Sequence, residues 1–321
     1  MKYLITGGTG FVGYHLVSFL LSETEADILI LSRLSTSGNL NRLSLIKNNT
    51  DRLNIIHHDL RSPINSFVSH SLRDIDICFH LAASSHVDRS ILDPLSFIYD
   101  NVVGTCNLLN HFRNTPTRIL YFSTDEVFGP AFGGHKFKEW SAYHSGNPYA
   151  ATKAGAEELC LAYANTYGMD IIITHSMNIF GEAQHPEKFI PMTIRKILND
   201  EVSIIHSNAS KSKSGSRYYI YAQDCARATL AVAKCGVSGD KYNIVGPKEI
   251  SNLDMALTIA RLMGKELKYD MYDFHSSRPG HDLRYALDGS KMKSIGWFPR
   301  WDIDDALEKV VGWYIANPDW L

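Results

Sequence analysis

The 321 residues predict an α/β fold with a doubly wound, mostly parallel sheet and a smaller mixed α/β lobe after it. Three observations predict it. Short apolar, β-leaning runs alternate with helical patterns from the N-terminus to about residue 176. The first run passes through Gly7, Gly10 and Gly13 directly into a helical pattern, the strand, glycine turn and helix of a dinucleotide-binding, Rossmann-type unit. After residue 176 the alternation becomes irregular. Residues 1–176 are therefore read as the dinucleotide-binding domain with the catalytic residues. Residues 177–321 are read as mainly a substrate-binding lobe, with a segment near 217–245 returning to the first domain.

The elements follow in order. Residues 3–6 form a strand, and the helical pattern covers 14–22. Between them the glycines allow a tight turn and close approach to a pyrophosphate, which the helix N-terminus then faces; Phe11 and Val12 lie in the same turn. A second strand, 27–31, ends at Ser32 and Arg33. An acid for the adenosine ribose is expected about 20 residues past the last glycine. Serine and arginine there suit a 2′-phosphate better than a free 2′-hydroxyl, so both NAD and NADP are open. The third strand, 53–57, leads to Asp59 and Leu60; the fourth, 76–81, ends at Leu81, Ala82 and Ala83, small enough in part for a flat cofactor to lie close. Ser85 and His86 lie just past that end. A long helix is expected over 94–113, a fifth strand over 118–123, a helix over 149–167 and a sixth strand over 170–174. Beyond lie helices near 190–198, 224–234, 253–263 and 303–315, strands at 202–205, 217–220 and 241–245, and polar loops at 207–216 and 277–282.

Chemistry concentrates between Tyr121 and Lys153. The fifth strand stops at Thr124, Asp125 and Glu126, and Gly129-Pro130 signals a loop. Adjacent strand residues face opposite ways, so both acids reach one substrate only if the backbone has already turned. Tyr149 and Lys153 are four apart at the start of a helix, on one face. A hydroxyl, two carboxylates, a phenol and an ammonium then converge, enough for several proton transfers.

Composition narrows the classes. The chain is 45% hydrophobic with a net charge of -2, so no basic field points to nucleic acid. No apolar run reaches the ~18–20 residues of a membrane span, and the start at Met1 reads as a strand rather than a signal peptide. Five scattered cysteines show no metal or disulfide spacing. A cytoplasmic protein without a metal is expected.

The motifs Gly-Gly-Thr-Gly-Phe-Val-Gly at 7–13, His-Leu-Ala-Ala at 80–83, Ser-His-Val-Asp-Arg-Ser at 85–90, Ser-Thr-Asp-Glu-Val-Phe-Gly at 123–129, Tyr-Ala-Ala-Thr-Lys at 149–153 and Arg-Pro-Gly-His-Asp at 278–282 resemble those of the extended short-chain dehydrogenases/reductases. More narrowly, they resemble the nucleotide-sugar 4,6-dehydratases. The Asp-Glu pair and the Arg-Pro-Gly-His-Asp block are the specific parts. Serine at 32 replaces the family's usual aspartate, and Ser84 replaces a common acid. The resemblance implies a tightly held NAD, regenerated each turnover, an NDP-hexose substrate and a homodimer. It implies that Tyr149, helped by Lys153 and Thr124, takes the C4 hydroxyl proton, that Glu126 removes the C5 proton, and that Asp125 protonates the departing C6 hydroxyl. Asn178, Glu187, Lys188, Phe189, Asn252 and His281 match substrate-contacting positions, and Arg217 and Arg278 are candidates for the diphosphate. An epimerase or decarboxylase on the same scaffold is the alternative within enzymes, and a dinucleotide-binding regulator without turnover the alternative outside them.

Overall fold

The computed structural model describes residues 1–34, 38–273 and 283–321. Its central sheet holds β1 (Lys2–Thr6), β2 (Asp27–Ser32), β3 (Leu53–His57), β4 (Ile77–His80), β5 (Arg118–Thr124), β6 (Ile171–Ser176) and a seventh strand, Lys241–Ile244. The spatial order is the seventh strand, β6, β5, β4, β1, β2, β3, with every pair parallel. Chain connections leave in opposite directions on either side of β1 and β4, which opens a crevice at their carboxyl ends.

Side chains alternate across the sheet as the strand pleat requires. Tyr3 and Ile5 pack on one face under α1 (Phe11–Glu23) and the helix Ala222–Cys235. Leu4 packs on the other with Leu108, Phe112 and Cys160. Both faces are covered, which is why the strands read as near-continuous apolar runs. A separate core joins Ile194, Met255, Ile259, Leu307 and Tyr314 from the helices Phe189–Leu198, Asn252–Leu262 and Ile303–Ala316.

Several elements differ from expectation. The helix at 94–113 is broken into Pro94–Phe97, a π-helical Ile98–Val103 and Gly104–Phe112. Asn101 explains the wide turn. Its side chain accepts from the Ser84 amide at 2.8 Å and donates to the Ser84 carbonyl at 3.0 Å and to Thr152 Oγ1 at 2.9 Å, while Thr105 Oγ1 bonds the Asn101 carbonyl at 2.6 Å. The single strand at 217–220 is two, because Tyr218 pairs with Glu249 whereas Ile220 pairs with Ile179. Strands Glu249–Ser251 and Tyr269–Asp273 were not signalled, the first being too short and the second mostly exposed.

Candidate active site

Backbone geometry prepares the crevice first. Gly7 has φ +72°, and a Cβ there would lie 2.9 Å from the Ala82 backbone; at Gly13 it would lie 2.2 Å from the Gly7 carbonyl oxygen. No other residue fits either place. Gly10 supplies no side-chain cap to α1 and its first turn holds no acid, leaving amide N–H groups directed at any anion above them.

A cleft of about 690 Å³ runs from this turn along Phe11, Val12, Leu81 and Ala83 to Thr124, Asp125, Glu126, Tyr149 and Lys153. It continues past Ser85, His86, Asn178 and Lys188. A second hollow of about 130 Å³ adjoins it, lined by Ser32, Asp59, Leu60 and Ala82 among others. The structure thus brings the glycine turn, the two acids and the Tyr-Lys pair to one cleft.

The acids meet there because β5 ends at Thr124 and a 3₁₀ turn, Asp125–Phe128, follows at once. Thr124 Oγ1 donates to Asp125 Oδ1 at 3.1 Å and accepts from the Glu126 amide at 3.4 Å. Opposite stands the helix Pro148–Tyr167, capped by Asn147. Asn147 Oδ1 accepts from the Ala150 amide at 2.8 Å, and its Nδ2 donates to Glu126 Oε2 at 3.0 Å. One side chain therefore fixes both the helix that carries Tyr149 and one of the acids. The Asn-Pro start of that helix was the available signal for it.

Burial, and then the neighbouring Glu126, push Asp125 up to about 7. Its Oδ2 is buried with no hydrogen-bond partner among the described residues. Tyr149 is pushed above its ordinary value by burial and then by Glu126, with a smaller opposing pull from Thr124 and a further push from Asp125. Burial first, and then the neighbouring carboxylates, keep Tyr149 a phenol. Burial lowers Lys153 to about 8; its Nζ donates to the Phe122 carbonyl at 2.7 Å and lies 4.2 Å from the centre of the Tyr121 ring.

One turn further along the helix, Glu157 is wholly buried. It accepts short hydrogen bonds from Ser123 and Tyr143, faces His175 Nε2 at 2.9 Å and Lys241 Nζ at 3.6 Å. Burial raises its carboxyl, but His175 and the hydrogen bonds prevail and hold it at about 2. This network braces Ser123, the residue before the catalytic strand end.

At the cofactor end, Ser32 and Arg33 are already engaged. Ser32 Oγ and Thr9 Oγ1 are 2.8 Å apart. Arg33 donates to both oxygens of Asp100, at 2.6 and 2.9 Å. Arg61 Nε donates to Asp100 Oδ1 at 2.6 Å and Ser84 Oγ to Oδ2 at 2.5 Å. Burial alone would raise Asp100, but hydrogen bonds from Arg33, Arg61 and Ser84 hold it below the ordinary range. Asp100, Arg61 and Arg42 all line the cleft and had no local signal in the sequence.

Some expected substrate contacts lie elsewhere. Glu187 lines the cleft but pairs with Arg89 Nη2 at 3.0 and 2.9 Å and with His86 at 3.4 Å. Phe189 packs against the C-terminal core. Arg217 is buried; its Nη1 donates to the Ser216 and Leu283 carbonyls, both at 2.7 Å, and its guanidinium lies 4.6 Å from the Tyr285 ring centre. Asn252 accepts from Tyr219 at 2.8 Å. None of these last three lines the cleft, although the charge of Arg217 reaches Asp125 and opposes its upward shift. Arg278 and His281 lie outside the described residues. Among the described residues no cluster of three or more His, Cys, Asp or Glu side chains could hold a metal, and no helix is long and apolar enough to cross a membrane.

The family model for GDP-mannose 4,6 dehydratases matches residues 4–310. A dTDP-glucose 4,6-dehydratase of Escherichia coli is 34% identical over 352 residues, covering 100% of this chain and 95% of that protein. A low-salt glycan biosynthesis protein of Haloferax volcanii is 36% identical over 320 residues, covering 99% of this chain and 100% of the relative. Among solved structures, the dTDP-glucose 4,6-dehydratase DesIV of Streptomyces venezuelae, with NAD and TYD bound, superposes with a TM-score of 0.90 at 33% identity, covering 100% of this chain and 98% of that one. With likeness of this extent over the whole chain, it belongs to the nucleotide-sugar 4,6-dehydratases of the extended short-chain dehydrogenase/reductase family.

Proposed function

We propose that the protein is an NAD-dependent 4,6-dehydratase. It converts dTDP- or UDP-glucose to the corresponding 4-keto-6-deoxyglucose nucleotide and water. One observation carries the reading: an aspartate held near neutrality by burial, with an unpartnered oxygen, beside a glutamate and across from Tyr149 and Lys153. An epimerase expels no water and so has no step for a carboxylic acid that still carries a proton near neutral pH.

The groove fits a dinucleotide, since only glycine is tolerated at 7 and 13 and the N-terminus of α1 is uncapped by side chains. Gly7, Gly10, Phe11, Val12, Gly13, Ser32, Asp59, Leu60 and Leu81–Ala83 would hold it, and Arg33 lines the adjoining hollow while paired with Asp100. Bound NAD supplies a hydride acceptor for C4 and later the hydride returned to C6. Tyr149, once deprotonated to the phenolate that the positive charge of bound oxidised NAD and Lys153 would favour, accepts the C4 hydroxyl proton, and Thr124 orients the C4 oxygen. Ketone formation acidifies C5–H. Glu126, held by Asn147, removes that proton, and Asp125 gives its own to the C6 hydroxyl, which leaves as water. Ser85, His86, Asn178, Glu187 and Lys188 line the cleft and take the sugar side; Arg278 and His281 take the diphosphate and base side, while Arg217, off the cleft, acts on Asp125 through its charge. In this reading residues 1–176 are the dinucleotide domain and 177–321 mainly the substrate lobe, with Ala222–Cys235 and Lys241–Ile244 packed back on the sheet.

We further propose a cytoplasmic homodimer. Leu95, Ile98 and Tyr99 are exposed on the 94–103 segment, as is Tyr167 at the end of the catalytic helix. A second copy would cover such a face; sedimentation at monomer mass would end that proposal.

The activity is tested by incubating the protein with dTDP-glucose and with UDP-glucose. The expected product has lost one water and absorbs strongly in alkali. A product of unchanged mass would mean an epimerase, and a protein that retains dinucleotide but converts no NDP-hexose would be the regulator.

A further inference from the structure

We infer that Asp100 selects NAD against NADP, by occupying the two arginines that would otherwise hold a 2′-phosphate. The inference rests on the dinucleotide reading of the groove.

Its basis is a four-residue hub. Asp100 lies on the π-helical segment Ile98–Val103. Arg33 follows the end of β2 and Arg61 the end of β3, while Ser84 follows β4. All four line both the large cleft and the adjoining hollow, the hollow that also holds Ser32, where the ribose-binding acid of such folds is expected. The Asp100 side chain is 7% exposed. Both its oxygens are used: Oδ1 by Arg33 and Arg61, Oδ2 by Arg33 and Ser84.

The charges balance locally. Asp59 stands 3.7 Å from Arg33 and 4.0 Å from Arg61, so two arginines face two carboxylates. A 2′-phosphate would meet no surplus positive charge. To be bound by Arg33 it would have to break a fork-to-carboxylate pair that is already made and largely desolvated. A 2′-hydroxyl asks nothing of these arginines. NAD and NADP differ only in that phosphate, so the hub discriminates at the one group that distinguishes them. Arg33, which in the sequence leaves both NAD and NADP open, is thereby silenced by a residue 67 positions away.

The test is a competition. The parent, Asp100→Asn, Arg33→Ala and the double variant are each equilibrated with equal NAD and NADP and desalted, and the dinucleotides released on denaturation are weighed by mass spectrometry. Asp100→Asn is expected to raise the bound NADP:NAD ratio by about ten-fold or more, the factor that one freed charge-assisted hydrogen bond supplies. Adding Arg33→Ala should cancel that gain. Arg33→Ala alone, which keeps Asp100 on Arg61, should leave the parent ratio within about two-fold.

An unchanged ratio in Asp100→Asn overturns the inference, as does a gain that survives loss of Arg33. So does a fall in the NADP share of Arg33→Ala beyond about two-fold, which would show Arg33 serving the phosphate already; this arm holds even where Asp100→Asn fails to fold. If no form retains either dinucleotide, the dinucleotide reading itself fails.

Discussion

Replacing Asp125 by asparagine should make the protein more stable at alkaline pH while ending water loss. Asp125 is 5% exposed, and its carboxyl is raised from 3.8 to about 7. The native protein therefore holds a proton between those values that the unfolded chain has released. Stability from this group is full below about 4 and is lost as pH rises through about 7. Between pH 5 and pH 8 the loss covers about two pH units, roughly 3 kcal/mol at 1.36 kcal/mol per unit. Asparagine has nearly the same shape and no proton to lose. Guanidinium unfolding of parent and variant at both pH values measures the effect, because the difference between the two proteins cancels the titrating groups that do not interact with Asp125. The variant should gain roughly 3 kcal/mol on the parent from pH 5 to pH 8. A difference that stays constant within about 0.5 kcal/mol would show that Asp125 is ionised throughout. It could then not serve as the acid for the C6 hydroxyl, and the reasoning would be refuted at its base.

Other outcomes follow from the same geometry. Glu126→Gln should still pass hydride from C4 but lose solvent-deuterium exchange at C5 and slow water release by about 10²–10⁴-fold; exchange at the parent rate, read by NMR, would remove Glu126 as the base. Glu157→Gln should cost about 3 kcal/mol, because it leaves Lys241 and His175 facing a neutral group in a buried site. Glu157 is held at about 2, so its contribution is present above about 4.5 and is lost as pH falls toward about 2; parent and variant should converge in acid, and parallel melting curves would contradict this. Gly13→Ala places a methyl 2.2 Å from the Gly7 carbonyl oxygen, and the purified variant should carry markedly less dinucleotide than the parent.

What the sequence disclosed was local. The glycine turn, the strand-helix alternation and the Tyr149–Lys153 spacing each depend on a few consecutive residues and one period. The turn that lets Asp125 and Glu126 share a cleft could be argued from Gly129-Pro130, because alternation forbids it otherwise. The hub was out of reach, because residues 33, 61 and 84 come from the connections after three different strands and residue 100 from a helical segment, and they meet only when the sheet is assembled. The surroundings of Arg217 were out of reach for a related reason. An arginine just past a polar loop looks like an anion ligand, and only the folded chain shows two backbone carbonyls and the Tyr285 ring at its guanidinium. The π-helical turn at 98–103 was masked by a good helical pattern, and only the bonds of Asn101 to Ser84 and Thr152 disclose it.

The electrostatics also bear on a question that residue order leaves open, namely which acid does which work. Asp125 is the buried member with the unpartnered oxygen, whereas Glu126 receives the Asn147 amide, and such a donor favours the charged form. With Lys153 positive, Glu126 as carboxylate and both Asp125 and Tyr149 neutral, the four groups sum to zero. Burial resists any second negative charge, which is why both Asp125 and Tyr149 are pushed upward. Tyr149 can therefore give up its proton only where a further positive charge enters beside it, and oxidised NAD carries one. Transfer of hydride to bound NAD would remove that charge, and the C4 hydroxyl proton would return Tyr149 to the phenol. The balance is restored without touching Asp125, whose proton is kept for the C6 hydroxyl. In this account a single constraint, one tolerated negative charge beside Lys153, orders oxidation before elimination.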